Sequence, residues 1–387
     1  MSGPRVLVTD AQDRNGLAAA RCLHAASYRV TAAASERLAP GLWSRACSSA
    51  AILPLPALDV NEFAARLEGL VRTRQIDILL PGTDEALFIV AGRRDRFEPL
   101  TLIGLPPPEA VEAVFNKVRL ATEATKVGLS PPEQGVCHRV EEAVDLAREF
   151  GYPVFVKPVR TVAEVDDHLV RHPSRVATDE RGLRELQGLI GPCIVQRTVA
   201  GGIISFGGVM TDQGLLGAVV SRYRRTWPPE AGSVSFSETV SPPAALIEKV
   251  EALVAALGWR GLFELELIEH DAGTVGAIDF NPRPYGSMAL ARAAGAPLAT
   301  LWCGWLLGAD PKPVVAKAGV SYRWEDADAR HIVWQLRNAD RRGAFAAMLP
   351  RRGVTHAYFR LRDPMPLVAR GLQLGLVRFG RVGRAPR

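Results

Sequence analysis

Residues 261–287, GLFELELIEHDAGTVGAIDFNPRPYGS, gather acidic side chains in a pattern that suits divalent-cation chemistry. Phe263, Leu265 and Leu267 alternate with Glu264 and Glu266, so a strand here puts apolar groups on one face and carboxylates on the other. His270-Asp271-Ala272-Gly273 supplies turn residues. A second strand then places Ile278 and Phe280 on one face, Asp279 and Asn281 on the other. Antiparallel pairing with the apolar faces together makes Glu266, Asp279 and Asn281 converge. Two carboxylates and an amide oxygen are hard ligands suited to Mg²⁺, which keeps waters and bridges phosphates. Arg283 follows at once, a donor fork for phosphate or carboxylate. The bland alternative is a surface hairpin with solvated acids. Against it, Pro282 and Pro284 stop ladder pairing just after the ligands, and Gly286 lets another backbone approach closely.

Three further groups carry charge or recognition potential. Lys157 closes the apolar run VFVK and is costly to bury without an anion. It reads as a phosphate ligand or as a lysine snorkelling to water; Lys117, after Asn116 near a helix start, is a similar case. The run Ile194–Gly202 is a strand entering paired glycines. Unpaired edge amides there can read the rim of a purine, with Gln196 adding a side-chain bond; a plain sheet strand is the other reading. Ser221-Arg222-Tyr223-Arg224-Arg225 concentrates positive charge after a strand. Arginines closing over a polyphosphate stabilise the charge that develops in phosphoryl transfer; a solvated basic loop fits equally.

These groups need a scaffold, and the chain has room for one. Its 387 residues suffice for two or three domains, and a composition 48% hydrophobic and 23% charged excludes a disordered chain. The run 5–9, the helical LAAARCLHAA, the strand 28–34, the helix 60–74, the strand 76–81 and a last strand 101–104 follow βαβ grammar, which implies a parallel sheet. The first loop, TDAQDRNG, lacks the G-x-G-x-x-G spacing, so no nicotinamide site is expected. Pro106-Pro107-Pro108 marks a boundary. Beyond it come helices over 109–127, 141–150 and 179–189, strands over 153–158, 193–199, 203–210 and 214–221, and a helix over 244–257 before the acidic hairpin. After Asp310 a smaller segment carries helices near 326–338 and 365–378.

Five scattered cysteines without a C-x-x-C pair read as buried thiols of a reducing cytosol. The opening MSGPRVLVTD has too short an apolar run for a signal peptide. No stretch reaches about 18 uninterrupted apolar residues, so no transmembrane helix is expected. The net charge of +6 is concentrated at the end: residues 351–387 hold nine arginines and one acid, Asp363. Such a segment can attract nucleic acid, anionic lipid or an acidic partner. Its few aromatics argue against a base-stacking surface, and a solvated surface is the favoured reading.

Taken together, these pieces resemble the ATP-grasp superfamily over about 5–310, in its carboxylate–amine ligase-like and carbamoyl-phosphate-synthase-like branch. The resemblance rests on the order of Lys117 on an entry helix, the V-K-P strand with Lys157, the strand V-Q-R-T-V, and Glu266, Asp279 and Asn281-Pro282-Arg283. It implies an α/β and α+β architecture: a Rossmann-like pre-ATP-grasp domain at 1–105, an ATP-grasp domain at 106–310 split into subdomains 106–200 and 201–310, and a basic segment 311–387. It also implies that Lys117 and Lys157 touch phosphates and that Gln196, Arg197 and Val199 lie along adenine. Glu266, Asp279 and Asn281 would bind Mg²⁺ or Mn²⁺, and Arg283 with Arg222 or Arg225 would hold transferring phosphate or substrate carboxylate.

The implied activity is an ATP- and Mg²⁺-dependent ligase that activates a carboxylate as an acyl phosphate for attack by an amine, such as an amino acid or small peptide. Its partners are small molecules, read by loops around Asp84, Glu85, Arg283 and Tyr285, in a cytoplasmic protein, by default a homodimer. Three departures from the family stand out. The segment after Lys157, RTVAEVD, has no glycine; Ile203 and Ile204 occupy the place of a ribose-binding glutamate; and Asp279 replaces the commoner glutamate. Two other readings fit the same residues: a non-catalytic ATP-binding protein, or a ligase for a macromolecular or membrane-associated acceptor docked by the C-terminal segment, although packing of 365–380 on the body of the protein is preferred to a membrane surface.

Overall fold

The computed structural model describes residues 3–378 except 166, 167, 191, 230, 231, 271, 272, 339, 350 and 352. The expected turn at 270–273 and the last residues of the basic segment therefore fall in part outside the described residues.

The expected βαβ grammar is realised as a four-stranded parallel sheet ordered Ser49–Ile52, Arg29–Ala34, Arg5–Val8, Ile78–Leu80. Val6, Leu7 and Val8 have no exposed surface, as strands covered on both faces should. The residues 101–104 make only a bridge, Leu102 to Ile78, and not a full strand. Strand order reverses at Arg5–Val8, so the loops after that strand and after Ile78–Leu80 flank a crevice at the carboxyl ends of the strands.

The helix expected over 109–127 is two helices, Pro108–Phe115 and Lys117–Lys126. Asn116 breaks the run. It is extended, and its side-chain oxygen accepts from the Val118 and Arg119 amides at 3.0 and 3.1 Å, capping the second helix. Lys117 thus stands at a helix start, with its own amide donating to Val159 O at 3.0 Å, just past the end of the strand Val154–Pro158. That strand lies in an antiparallel sheet ordered Gln134–Cys137, Cys193–Arg197, Val154–Pro158, Arg175–Ala177. A separate hairpin, Val162–Val165 with His168–Arg171, follows it.

The largest sheet carries the acidic hairpin at one edge: Thr274–Asn281, Gly261–His270, Gly202–Thr211, Gly214–Trp227, Ser233–Thr239, Ser321–Arg323 and Val354–His356. Its apolar face is organised by a row of aromatics. Phe263 stacks between Phe206 and Phe280, at centroid separations of 6.2 and 5.6 Å, and the helix Ala244–Ala256 buries Val250, Leu253 and Val254 against the same core. This packing sets the register of the hairpin, because a one-residue slip would send Phe263 and Leu265 to the acidic face. Phe263→Ala should lower unfolding free energy by about 3–5 kcal/mol. Chemical denaturation checks this, and a loss near zero would show that the aromatic row does not hold the sheet.

Candidate active site

The two hairpin strands pair with Glu264 opposite Asn281 and Glu266 opposite Asp279. Glu266, Asp279 and Asn281 are therefore neighbours on one face, as the alternation requires. The second strand departs from the expected alternation at Ile278. Leu267 pairs with Ala277 and Glu266 with Asp279, leaving Ile278 as the extra residue of a bulge. Ala277 joins Phe280 in the core in its place, and the Ile278 carbonyl accepts from Lys157 Nζ at 3.2 Å.

Lys117 and Lys157 arrive from other elements and meet this face. Lys117 forms an ion pair with Asp279, and both lysines are buried. Burial, reinforced by the neighbouring charge of Lys117, brings the Lys157 ammonium down to about 8, with Asp279 and Glu266 opposing the fall. Glu266 moves the other way. Burial first, then Glu264 and Asp279 beside it, push its carboxyl up to about 8. Glu264 is also raised, chiefly by burial, while the Ser205 hydroxyl donating at 2.5 Å holds it down.

Arg283 forks onto Asp84 at 2.7 and 3.1 Å and reaches Asn281 Oδ1 at 3.1 Å. Burial alone would raise the Asp84 carboxyl; the Arg283 charge and hydrogen bonds hold it below its ordinary range. Asp84 starts a helix in the crevice of the parallel sheet, so this pair ties that crevice to the acidic hairpin. Asn15 Nδ2 to Pro284 O at 3.3 Å and Arg14 Nε to Gly286 O at 3.2 Å close the same seam.

Several expected site residues are not brought to this cluster. Arg222 lies on the opposite face of the sheet, where it pairs with Glu269. The alternation that turns Tyr223 toward Glu266, at 3.0 Å, turns Arg222 away. Arg225 follows an irregularity in its strand and is locked bidentate to the buried Asp328 at 2.7 and 3.0 Å. The strand bearing Gln196 is not an edge: Cys193–Arg197 is paired on both sides, so its amides are not free to read a purine. Gln196 is buried and donates to Gln134 at 2.7 Å, Arg197 pairs with Glu133 at 3.3 Å, and only the residues beyond, including the partly exposed Val199, leave the strand.

Two participants, Glu264 and Tyr223, stand outside the expected site residues. Glu264 shares the face of Glu266 by simple period two, a legible signal. Tyr223 lay hidden among arginines, and only the strand register reveals its direction. Among the described residues no three His, Cys, Asp or Glu side chains are gathered for a metal. The donor set that a hard cation would find is Glu266 and Asp279 with the amide oxygen of Asn281. The Asp279 side chain keeps 37% of its surface exposed and pairs with Lys117, and Arg283 reaches the Asn281 amide oxygen.

No protein-family model matches the chain. It is 25% identical over 233 residues to the carbamoyl phosphate synthase large chain, C-terminal section, of Methanopyrus kandleri, covering 55% of this chain and 41% of the relative. The chain thus spans less than half the length of that curated relative. Among solved structures, an ADP complex of purK, N5-carboxyaminoimidazole ribonucleotide synthetase, superimposes with a TM-score of 0.62 at 13% identity over 88% of this chain and 86% of the other. The biotin carboxylase domain of the Hydrogenobacter thermophilus 2-oxoglutarate carboxylase, in complex with MgADP, gives 0.61 at 17% identity over 83% and 74%. The chain shares the fold of these solved structures over most of its length, an architecture consistent with ATP-grasp.

The two shifted groups give opposite pH signatures. Glu266 binds its proton more tightly folded than unfolded, so its contribution is full below about 4.5 and is lost as pH rises through about 8. Lys157 binds its proton less tightly folded, so its penalty is relieved as pH rises from about 8 toward 10.5. Glu266→Gln should therefore raise the thermal midpoint of the ligand-free protein at pH 8 and flatten its decline between pH 5 and 8, while the gain vanishes near pH 4. A thermal melt series checks this; an unchanged slope would mean that Glu266 is not held protonated by its neighbours.

Proposed function

We propose that the chain is an ATP- and Mg²⁺-dependent ligase that activates a carboxylate as an acyl phosphate for displacement by an amine. The observation that carries this reading is the meeting of Lys117 and Lys157, both buried, with Glu266 and Asp279 on one face of the sheet. Buried cations beside carboxylates that repel one another are costly to keep unless a ligand uses both. A triphosphate with a divalent ion does so: the lysines hold phosphate oxygens, and Glu266, Asp279 and Asn281 hold the ion. Bound there, a divalent ion would supply charge compensation for phosphoryl transfer.

The residues divide the work. Lys157, fixed by the Ile278 carbonyl, positions phosphate at the end of its strand. Arg283 holds the carboxylate or transferring group once Asp84 yields its fork. A carboxylate repels nucleophiles, and phosphorylation turns one oxygen into a leaving group, so no side-chain nucleophile is required. The fold shared with an ADP-bound synthetase and a MgADP-bound carboxylase domain supports the same nucleotide here. Adenine would lie along the segment beyond Arg197, with Val199, because the strand itself is fully paired. We assign the domains as 1–105, 106–310 and 311–387 in keeping with this reading. Five free thiols suit a reducing cytoplasm, and a homodimer is the default symmetric state.

One observation favours a second reading, nucleotide binding without turnover. The hairpin after Lys157 is anchored away from a covering role: Val162 and Leu169 are buried in the core beside the parallel sheet, and Arg93–Glu164 at 2.9 Å and Arg171–Glu85 at 3.4 Å clip it down. Calorimetry showing ATP binding with no hydrolysis across a panel of carboxylates and amines would favour it.

Under the ligase reading, Lys157→Ala and Asp279→Ala should each cut release of ADP and phosphate by more than about a hundredfold. Wild-type turnover in both rejects the assignment. Arg222→Ala, on the far face of the sheet, should leave turnover within about threefold while loss of its half-buried ion pair costs about 1 kcal/mol of stability.

A further inference from the structure

The C-terminal helix Met365–Arg378 is inverted relative to an ordinary surface helix. Its inward face carries polar groups: Arg370 pairs with Asp326 at 2.6 Å, and the buried Gln373 hydrogen-bonds Glu36, alongside Pro366 and Ala369. Its outward face is apolar. Leu361 just before it, then Met365, Val368 and Leu372, recur at helical spacing and are all exposed, Leu361 by 87%. The helix packs on the turn Pro40–Trp43, where Trp43 is itself 45% exposed and borders a groove lined by Leu42 and Ile52.

The exposed charge around this surface is predominantly positive. Arg37, Arg45 and Arg362 are exposed. Of the acids nearby, Asp363 is paired with Arg21 at 2.9 Å, while Glu36 accepts from the neutral Gln373 and keeps its charge. Two copies of this chain meeting here about a two-fold axis would bring arginine against arginine. An anionic lipid surface instead offers apolar depth for the aliphatic row, an interfacial level for Trp43 and counter-charge for the arginines.

We propose that this face is a peripheral docking surface for anionic membranes. The helix lies in the headgroup plane with Leu361, Met365, Val368 and Leu372 inserted and Arg37, Arg45 and Arg362 on phosphate. Among the described residues no helix is long and apolar enough to cross a membrane, so the attachment is reversible and salt-sensitive.

The test is sedimentation of the full chain with vesicles of phosphatidylcholine alone or mixed with phosphatidylglycerol, at low and at high salt. Binding is expected only to the anionic vesicles and should be released by salt. The double variant Val368→Asp/Leu372→Asp should weaken it by about tenfold or more, with an unchanged thermal midpoint because both side chains are exposed. Arg362→Glu should weaken it by about tenfold while leaving the aliphatic row intact. Equal binding to neutral vesicles, binding indifferent to these substitutions, or no vesicle binding with a dimer that the double variant dissolves would each overturn the proposal, the last in favour of a second copy of this chain.

Discussion

Two buried ammonium groups set against carboxylates are the constraint around which the molecule is arranged. Neither Lys117 nor Lys157 can leave water without an opposing charge or carbonyl, and their partners come from other layers: Asp279 and the Ile278 carbonyl from the edge of the large sheet. The charges therefore join the sheet that carries Lys157 to the sheet that carries the acids. Supply of these partners depends on details that look minor in isolation. Asn116 must break a helix to present Lys117, and a bulge at Ile278 must free a carbonyl. The cluster remains electrostatically unsettled, since Glu266 holds its proton to about pH 8. Sites prepared for charged ligands commonly carry such cost in their ligand-free state.

Much of this was legible in the sequence, and the reasons are physical. The acidic hairpin announced itself because period-two alternation is a strong signal when one face must be apolar, and Phe263, Leu265 and Leu267 do lie in the core. The parallel sheet was legible from its short apolar runs. What failed was direction and neighbourhood. Nothing in Ser221–Arg225 tells whether Arg222 or Tyr223 faces the acids; the pairing of Ile204 with Arg222 and of Ser205 with Ser221 decides it. Nothing in Val195-Gln196-Arg197 tells that strands from far along the chain cover both of its edges. The lack of glycine after Lys157 is plain in the sequence, but the docking of that hairpin on distant residues is tertiary information.

The same distinction explains the C-terminal segment. A helix near 365–378 was expected and is present, and it packs on the body of the protein as the sequence reading preferred. Its orientation was not legible, because periodicity says which residues share a face and not which face is buried. Here two ionic or hydrogen-bonded anchors, Arg370 and Gln373, win the inward position over aliphatic neighbours. Partnered polar groups can be buried at little cost, whereas apolar groups turned outward forgo their transfer free energy.

The Arg283–Asp84 pair has a kinetic side. An anion approaching Arg283 exchanges one carboxylate for another, so little net Coulomb energy is gained by arriving. Discrimination then falls on shape and hydrogen-bond geometry, because only a ligand that matches both prongs of the guanidinium displaces the incumbent. The displaced Asp84 is left facing Arg171, 3.5 Å away on the adjacent hairpin. Under the proposed function, release of Asp84 by Arg283 on one side of the seam would strengthen its pairing with Arg171 on the other.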